Sequence, residues 1–165
     1  MFYGAGEAGV GIANQISSYV QQELKCSLEE AQKRVWLVDS QGLVSNARSD
    51  KLAHHKQPFA HALPAGVSLK SPSLLEAIKA IKPSALIGVS AQGQSFNKAV
   101  CEEMATINAA PLIFALSNPT SKAECTAAQA YEWTNGKCVF ASGSPFDEVK
   151  LSDGRSFTPG QGHNA

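Results

Sequence analysis

Short apolar runs alternate along the chain with longer segments whose apolar residues recur at the three- to four-residue spacing of a helix. The first long segment has this spacing from Ile12 to Leu24, which predicts a helix from residue 6 to about residue 25. Several apolar runs, such as residues 112–116, lack polar alternation, as expected of strands covered on both faces. The predicted strands are residues 1–3, 35–38, 85–89, 112–116 and 138–141.

Capping residues predict where the remaining helices begin and end. In a capping box, a Ser or Thr is followed three residues later by Glu or Gln. Three pairs have that spacing: Ser27 with Glu30, Ser73 with Glu76, and Thr126 with Gln129. Pro83 is predicted to end the helix that starts after Ser73, and residues 96–107 predict a further helix. Alternating strands and helices predict an α/β fold with a doubly wound parallel sheet of the Rossmann type.

A glycine motif joins the first predicted strand to the first predicted helix. Gly4, Gly6 and Gly9 form Gly-x-Gly-x-x-Gly, the fingerprint of a dinucleotide-binding unit. We expect Gly4 to allow a tight turn, Gly6 to let the backbone approach a pyrophosphate, and Gly9 to pack the helix close to the strand. Asp39 ends the next predicted strand, where an acid reaches the ribose in this fold. The alternative is a glycine-rich turn in another α/β protein.

The loops that follow the predicted strands are small, polar or rich in glycine. Ligands of parallel sheets bind beyond the carboxyl ends of the strands, so these loops together favour a binding cleft. Any one of them alone is equally typical of an ordinary turn. The five loops are residues 4–9, 39–42, 90–93, 117–120 and 142–145.

Composition narrows the possible partners. The formal net charge is zero, with 14 basic and 14 acidic residues, which gives no electrostatic support for binding nucleic acid or an anionic membrane. The four cysteines are widely spaced without a metal-ligand pattern, which indicates reduced thiols in an intracellular protein. His54, His55 and His61 lack nearby Cys or Asp partners, so we expect them to pack or to face solvent rather than bind a metal.

Six segments together resemble the malic enzyme family, and they span the chain in order. The most specific are Ser-Asn-Pro-Thr-Ser at residues 117–121 and Ser-Gly-Ser-Pro-Phe at residues 142–146. The others are residues 4–13, 35–40, 59–61 and 159–162. The resemblance implies oxidative decarboxylation of malate to pyruvate and carbon dioxide, with a nicotinamide cofactor and Mg²⁺ or Mn²⁺, in a homo-oligomer located in the cytoplasm or a plastid.

The resemblance also implies that residues 1–165 are the NAD(P)-binding domain of a longer enzyme. The chain opens inside a predicted strand, so we expect a fragment in which Met1 is an internal residue. The family's acid/base Tyr and Lys, its acidic metal ligands and a substrate-binding Arg precede the glycine loop. We therefore expect no catalytic residue and no metal ligand in this chain, and the chain alone to be inactive.

Asn118 and Asn164 are the residues that the resemblance implies for malate binding. His163 stands where the family has the first of two Asn residues, and its role is left open. The alternative for Asn118 is a turn cap before Pro119. The expected cofactor-binding residues are Gly4, Gly6, Glu7, Ala8, Gly9, Asp39, Ser40, Lys56, Ser90 and Asn118.

The choice between NADP and NAD depends on the residues around Asp39. Asp39 alone favours NAD, because its charge would repel a 2′-phosphate. The resemblance favours NADP: members that use NADP have an Asp-Ser pair here and a Lys at the position of Lys56, which is suited to binding a 2′-phosphate. Ser40 and Arg48 are further candidates, whereas Gln41 replaces a Lys that many of these members have.

Other interpretations stay open at this point. Lys56 is alternatively a solvated surface lysine, with NAD then the preferred cofactor. The chain is alternatively part of another dehydrogenase, such as an amino-acid dehydrogenase, or a nucleotide-sensing domain without catalysis.

Overall fold

A mostly parallel sheet forms the centre of the molecule in the computed structural model, which describes residues 1–48, 51–67 and 73–162. The strands are β1 (Phe2–Tyr3), β2 (Leu37–Asp39), β3 (Gly42–Leu43), β4 (Ala85–Gly88), β5 (Leu112–Ala115), β6 (Val139–Ser142), β7 (Val149–Lys150), β8 (Ser156–Phe157) and β9 (Gly160–Gln161). The helices are α1 (Glu7–Leu24), α2 (Leu28–Gln32), α3 (Leu74–Ile81), α4 (Lys98–Ile107) and α5 (Ala127–Trp133), with 3-10 helices at His54–Phe59 and Thr120–Lys122.

The strand order places β1 at the point where the direction of winding reverses. Across the seven-stranded sheet the order is β3-β2-β1-β4-β5-β6-β9, so the chain moves from β1 to one side and later returns to the other. β1 pairs in parallel with both β2 and β4, and only β3 joins the sheet antiparallel. The predicted Rossmann-type fold is confirmed. The reversal leaves a crevice beyond the carboxyl ends of β1 and β4, where such folds bind ligands.

Apolar residues from the strands meet the helices on both faces of the sheet. α1 buries Gly9, Val10, Ala13 and Ser17, which lie on one face at helical spacing. Ser17 satisfies its buried hydroxyl by donating to the carbonyl of Ala13 at 2.8 Å. On the opposite side α3 and α4 cover the sheet, and their cluster includes the fully buried Ile78, Met104 and Ile113.

The predicted capping boxes all form. In each, the Ser or Thr side chain accepts a hydrogen bond from the backbone N–H three residues later. The Glu or Gln side chain at that later position accepts one from the backbone N–H of the capping residue. α3 ends at Ile81, two residues before Pro83, as predicted. α4 starts later than predicted, because Asn97 caps it and Phe96 is instead fully buried.

The sequence predicts residues 138–141 as the last strand, but the structure adds a further strand, β9, beside β6. β9 pairs in parallel with β6 through Ala141 with Gly160 and Ser142 with Gln161, after an antiparallel pair formed by β7 and β8. These strands have two residues each, too short for a period-2 pattern to show. The same reason explains why the sequence does not predict β3.

Two glycines of α1 provide a matched test of helix packing. A Cβ at Gly9 would overlap the carbonyl oxygen of Gly4 and lie 3.1 Å from Cγ2 of Val89, whereas a Cβ at Gly11 meets nothing within 4 Å. We expect Gly9→Ala to lower the free energy of unfolding by about 1–3 kcal/mol through overpacking. Gly11→Ala should raise it by about 0.5–1 kcal/mol, since Ala restricts the unfolded chain more than Gly does. Urea denaturation of both variants measures this, and equal effects at the two positions would contradict the packing role of Gly9.

Candidate nucleotide-binding site

A cavity of about 490 Å³ opens at the carboxyl edge of the sheet, where the adjacent strands β1 and β4 end. Parallel strands all end at the same edge, which brings loops from distant parts of the chain around one space. Its lining includes six of the predicted cofactor residues: Gly4, Gly6, Asp39, Ser40, Lys56 and Ser90. Of the other lining residues, Ala5 and Gln92 lie in loops that the sequence predicted to form a cleft, whereas Tyr3, Val38 and Val89 lie at the ends of predicted strands.

The glycine loop has a tight turn at Gly4 and an open backbone at Gly6. Gly4 has φ +117°, and a Cβ there would lie 2.6 Å from the carbonyl carbon of Val89. Gly6 is the N-cap of α1 without a side-chain cap, and a Cβ on it would meet nothing within 4 Å. The first N–H groups of α1 thus have no capping side chain and lie beside the cavity, an arrangement suited to a phosphate.

The remaining loop residues lie near the cavity without lining it. Glu7 and Ala8 are exposed in the first turn of α1, and Gly9 is buried against the loop. The carboxylate of Glu7 lies 3.7 Å from Nδ1 of His55, with the Glu7 side chain 92% exposed.

Asp39 lies between two cations at the end of β2. Nζ of Lys56 donates to Oδ2 of Asp39 at 2.8 Å, and Nη1 of Arg48 donates to Oδ1 at 2.8 Å. The backbone N–H of Gln41 adds a third bond at 2.9 Å. The Asp39 side chain is only 11% exposed. Burial by itself would raise the pKa of Asp39, but the bonds from Lys56 and Arg48 outweigh it and hold the pKa below its usual value.

The three side chains, here called the Asp39 triad, carry one negative and two positive charges. The sequence predicted that Lys56 and Arg48 would lie near the end of β2, but not that both would pair with Asp39. Lys56 reaches Asp39 from the 3-10 helix His54–Phe59, which is held in place by the fully buried Phe59.

His61 packs away from the triad. Its Nε2 donates to the backbone carbonyl oxygens of Gln32 and Val35, at 3.0 and 2.9 Å.

Asn118 follows β5 at the same edge of the sheet, outside the lining of the cavity. Oγ of Ser144 donates to Oδ1 of Asn118 at 2.8 Å. A Cβ at Gly143 would lie 2.9 Å from Nδ2 of Asn118, so glycine leaves room for the amide. With its oxygen engaged by Ser144, the exposed Asn118 side chain presents Nδ2 as a donor. His163 and Asn164 lie outside the described residues.

Ionisable groups elsewhere do not gather into a metal centre. Among the described residues, no group of three or more His, Cys, Asp and Glu side chains is placed to hold a metal ion. This part of the chain therefore does not fit the divalent metal that the resemblance implies.

All four cysteines are free, and burial raises the pKa of Cys138 to about 11, so its thiol is protonated at neutral pH. Within the same described ranges, no helix combines the length and apolarity needed to cross a bilayer.

Comparison with known proteins agrees with the architecture of this edge. The whole chain, residues 1–165, matches the family described as malic enzyme, NAD binding domain. It is 52% identical to NADP-dependent malic enzyme 3 of Arabidopsis thaliana over 99% of this chain, and 51% identical to NADP-dependent malic enzyme of Vitis vinifera over 100%. It is 48% identical to the chloroplastic NADP-dependent malic enzyme of Oryza sativa subsp. japonica over 100%.

The match covers only part of each relative. The chain spans 27% of the length of the Arabidopsis and Vitis proteins and 25% of the rice protein. A match along all 165 residues to the family's nucleotide-binding domain, together with about 50% identity to these enzymes, establishes descent. The chain belongs to the malic enzyme family.

Proposed function

We propose that residues 1–165 are the NADP-binding domain of an enzyme that oxidises and decarboxylates (S)-malate to pyruvate and carbon dioxide. The observation that carries the proposal is the Asp39 triad beside a glycine loop and an uncapped helix N-terminus. The glycine loop and the helix N-terminus supply a subsite for a pyrophosphate, and the Asp39 triad supplies a subsite for a phosphorylated ribose. The named relatives are NADP-dependent malic enzymes, which supports the same assignment.

The crevice implies how the cofactor lies. In this fold the pyrophosphate binds at the N-terminus of the first helix and the adenosine ribose at the end of the second parallel strand. We therefore place the pyrophosphate at Gly4, Gly6 and the first turn of α1, and the adenosine ribose at Asp39 and Ser40. Ser90 and Asn118, in the loops after β4 and β5, would hold the nicotinamide half. When bound, it would supply the hydride acceptor for the oxidation of malate.

Charge compensation allows an acidic residue to coexist with NADP. A lone Asp39 would repel the 2′-phosphate, but Lys56 and Arg48 give the triad a net charge of +1. We propose that the phosphate shares these two cations with Asp39 and accepts a further bond from the Ser40 hydroxyl. Lys56 is one-fifth exposed, so its ammonium is accessible from the cavity that it lines.

Malate is proposed to bind beyond the nicotinamide, where Nδ2 of Asn118 donates to a carboxylate or hydroxyl oxygen. An amide adds a hydrogen bond without adding charge to the site. Asn164 is proposed to act from the same side. The acid/base residues and the Mg²⁺ or Mn²⁺ ligands are assigned to parts of the enzyme outside this chain, and the complete enzyme is proposed to be a homo-oligomer. We propose the cytoplasm or a plastid as the location of the enzyme, and the name of the rice relative, which is chloroplastic, supports the plastid.

Gly6→Val tests the phosphate loop. The backbone at Gly6, with φ −79° and ψ −174°, accommodates Val, so the fold should survive while the side chain blocks the pyrophosphate. Loss of one charge-assisted bond should weaken NADP binding by about 10- to 150-fold in calorimetric titration. Gly11→Val is the control, because Gly11 also has open space around its Cβ position but does not line the cavity. Unchanged affinity in a folded Gly6→Val variant would rule out the phosphate-loop assignment.

Lys56→Gln tests the preference for NADP. Removing the ammonium takes one cation from the 2′-phosphate and leaves the charge of Asp39 less compensated. The ratio of NADP to NAD affinity should fall by about 10- to 150-fold, with NAD affinity unchanged or raised. Higher salt should reduce the difference, since the contact is partly exposed. Lys51→Gln removes the same charge from an exposed position and is the control. If both affinities fall together, Lys56 supports the loop without selecting the phosphate.

Asn118→Ala, made in the complete enzyme, tests the substrate subsite. Malate loses one hydrogen-bond donor, which should lower kcat/KM for malate by a factor equivalent to about 1–3 kcal/mol of binding free energy. Cofactor affinity should change less than that. Steady-state kinetics with malate and NADP varied in turn separate the two effects. Equal losses for both ligands would instead assign Asn118 a role in loop structure.

A further inference from the structure

Glu124 is a fully buried carboxyl group that the proposed function has not used. It follows the 3-10 helix Thr120–Lys122 and precedes α5, with 0% of its surface exposed. Among the described residues, no Lys, Arg or His forms an ion pair with it. A buried carboxylate without a cation is costly unless hydrogen bonds compensate it, so its partners indicate what it does.

Four hydrogen bonds converge on Glu124 from the loops after β4 and β5. Oε1 accepts from the backbone N–H of Ser90 at 3.1 Å, from Oγ of Ser90 at 3.2 Å and from Oγ of Ser117 at 2.5 Å. Oε2 lies 3.4 Å from the backbone nitrogen of Ser117. Glu124 therefore connects the loop that lines the cavity to the residue before Asn118.

The direction of these bonds favours the charged form. Oγ of Ser117 accepts from the N–H of Ala91 at 2.9 Å, and Oγ of Ser90 accepts from the N–H of Gln92 at 3.1 Å. Each hydroxyl oxygen thus accepts a hydrogen bond from a backbone N–H and donates its own hydrogen to Oε1 of Glu124. Four donors around an acceptor-only group suit an ionised carboxylate.

The fold reserves space for this carboxylate. A Cβ at Gly88, the last residue of β4, would lie 2.6 Å from Cγ of Glu124. Only a glycine at this position lets the side chain lie across the end of the strand. The charge is thereby fixed beneath the carboxyl ends of β4 and β5, which is the nicotinamide side of the crevice in a fold of this topology.

We propose that the buried charge of Glu124 makes this cleft bind the oxidised nicotinamide cofactor more tightly than the reduced one, while its hydrogen bonds position the loops after β4 and β5. The inference rests on the proposed function. An oxidised nicotinamide ring carries a positive charge, which is lost when the ring accepts a hydride. A fixed anion in a poorly solvated site attracts only the charged ring. The domain is thus biased toward binding NADP⁺ and releasing NADPH.

Glu124→Gln isolates the charge from the geometry. A Gln carbonyl in the place of Oε1 keeps three of the four hydrogen bonds, and the amide nitrogen replaces only the oxygen that makes the 3.4 Å contact. Glu124→Asp makes the opposite change, because it keeps the charge but shortens the side chain. Glu132→Gln removes an exposed carboxylate on α5 and serves as the control.

The experiment is calorimetric titration of the 165-residue wild-type chain and the three variants with NADP⁺ and with NADPH, alongside thermal unfolding. We expect Glu124→Gln to lower the ratio of NADP⁺ to NADPH affinity by about 5- to 30-fold, the effect of one unit charge acting over about 10 Å at an effective dielectric constant of about 20. Glu124→Asp should weaken both nucleotides and keep the wild-type ratio. Glu132→Gln should leave both affinities unchanged.

Two results would overturn the inference while the proposed function stands. One is an unchanged ratio in Glu124→Gln, whether both affinities fall or neither does, which reduces Glu124 to a structural anchor. The other is a ratio in Glu124→Asp that falls by about 5-fold or more although the charge is kept, which decides the matter even if the Gln variant fails to fold. A wild-type chain that binds neither nucleotide overturns the proposed function and this inference with it.

Discussion

Parallel pairing of β1 with both of its neighbours is the constraint from which the candidate site follows. Because β2 and β4 flank β1 in the same direction, their carboxyl ends and loops meet at one edge, and the reversal of winding opens a crevice there. The backbone of Gly4 lies so close to Val89, and Gly9 of α1 so close to Gly4, that neither glycine has room for a Cβ. The backbone that approaches the proposed cofactor is thus set by the same packing that closes the sheet around β1.

The proposed account gives the two ends of this crevice opposite charges. The three side chains of the Asp39 triad sum to +1 near β2, and we propose that the buried Glu124 carries a charge of −1 near β4 and β5. The proposed cofactor has the complementary arrangement, with a phosphorylated ribose at one end and a cationic ring at the other. Such a pattern would orient the dinucleotide as well as bind it, since reversing it would place like charges together.

Local signals made the order of elements and part of the site predictable. The glycine motif, the three capping boxes and the apolar runs each depend on neighbours within four residues, and the structure has all of them. The ion pairs of Asp39 and the bonds of Glu124 could not be predicted, because they join residues 7 to 34 positions apart. Two-residue strands such as β3 and β9 carry no periodic signal, and tertiary pairing alone defines them.

We propose that the end of β2 recognises a 2′-phosphate despite the presence of Asp39. Titration of the 165-residue chain with 2′,5′-ADP and with 5′-AMP tests this recognition, because the two ligands differ only in that phosphate and lack the nicotinamide half. We expect 2′,5′-ADP to bind about 10- to 150-fold more tightly at low salt, with the advantage shrinking as salt increases. Equal affinity for the two ligands, or tighter binding of 5′-AMP, would contradict the account.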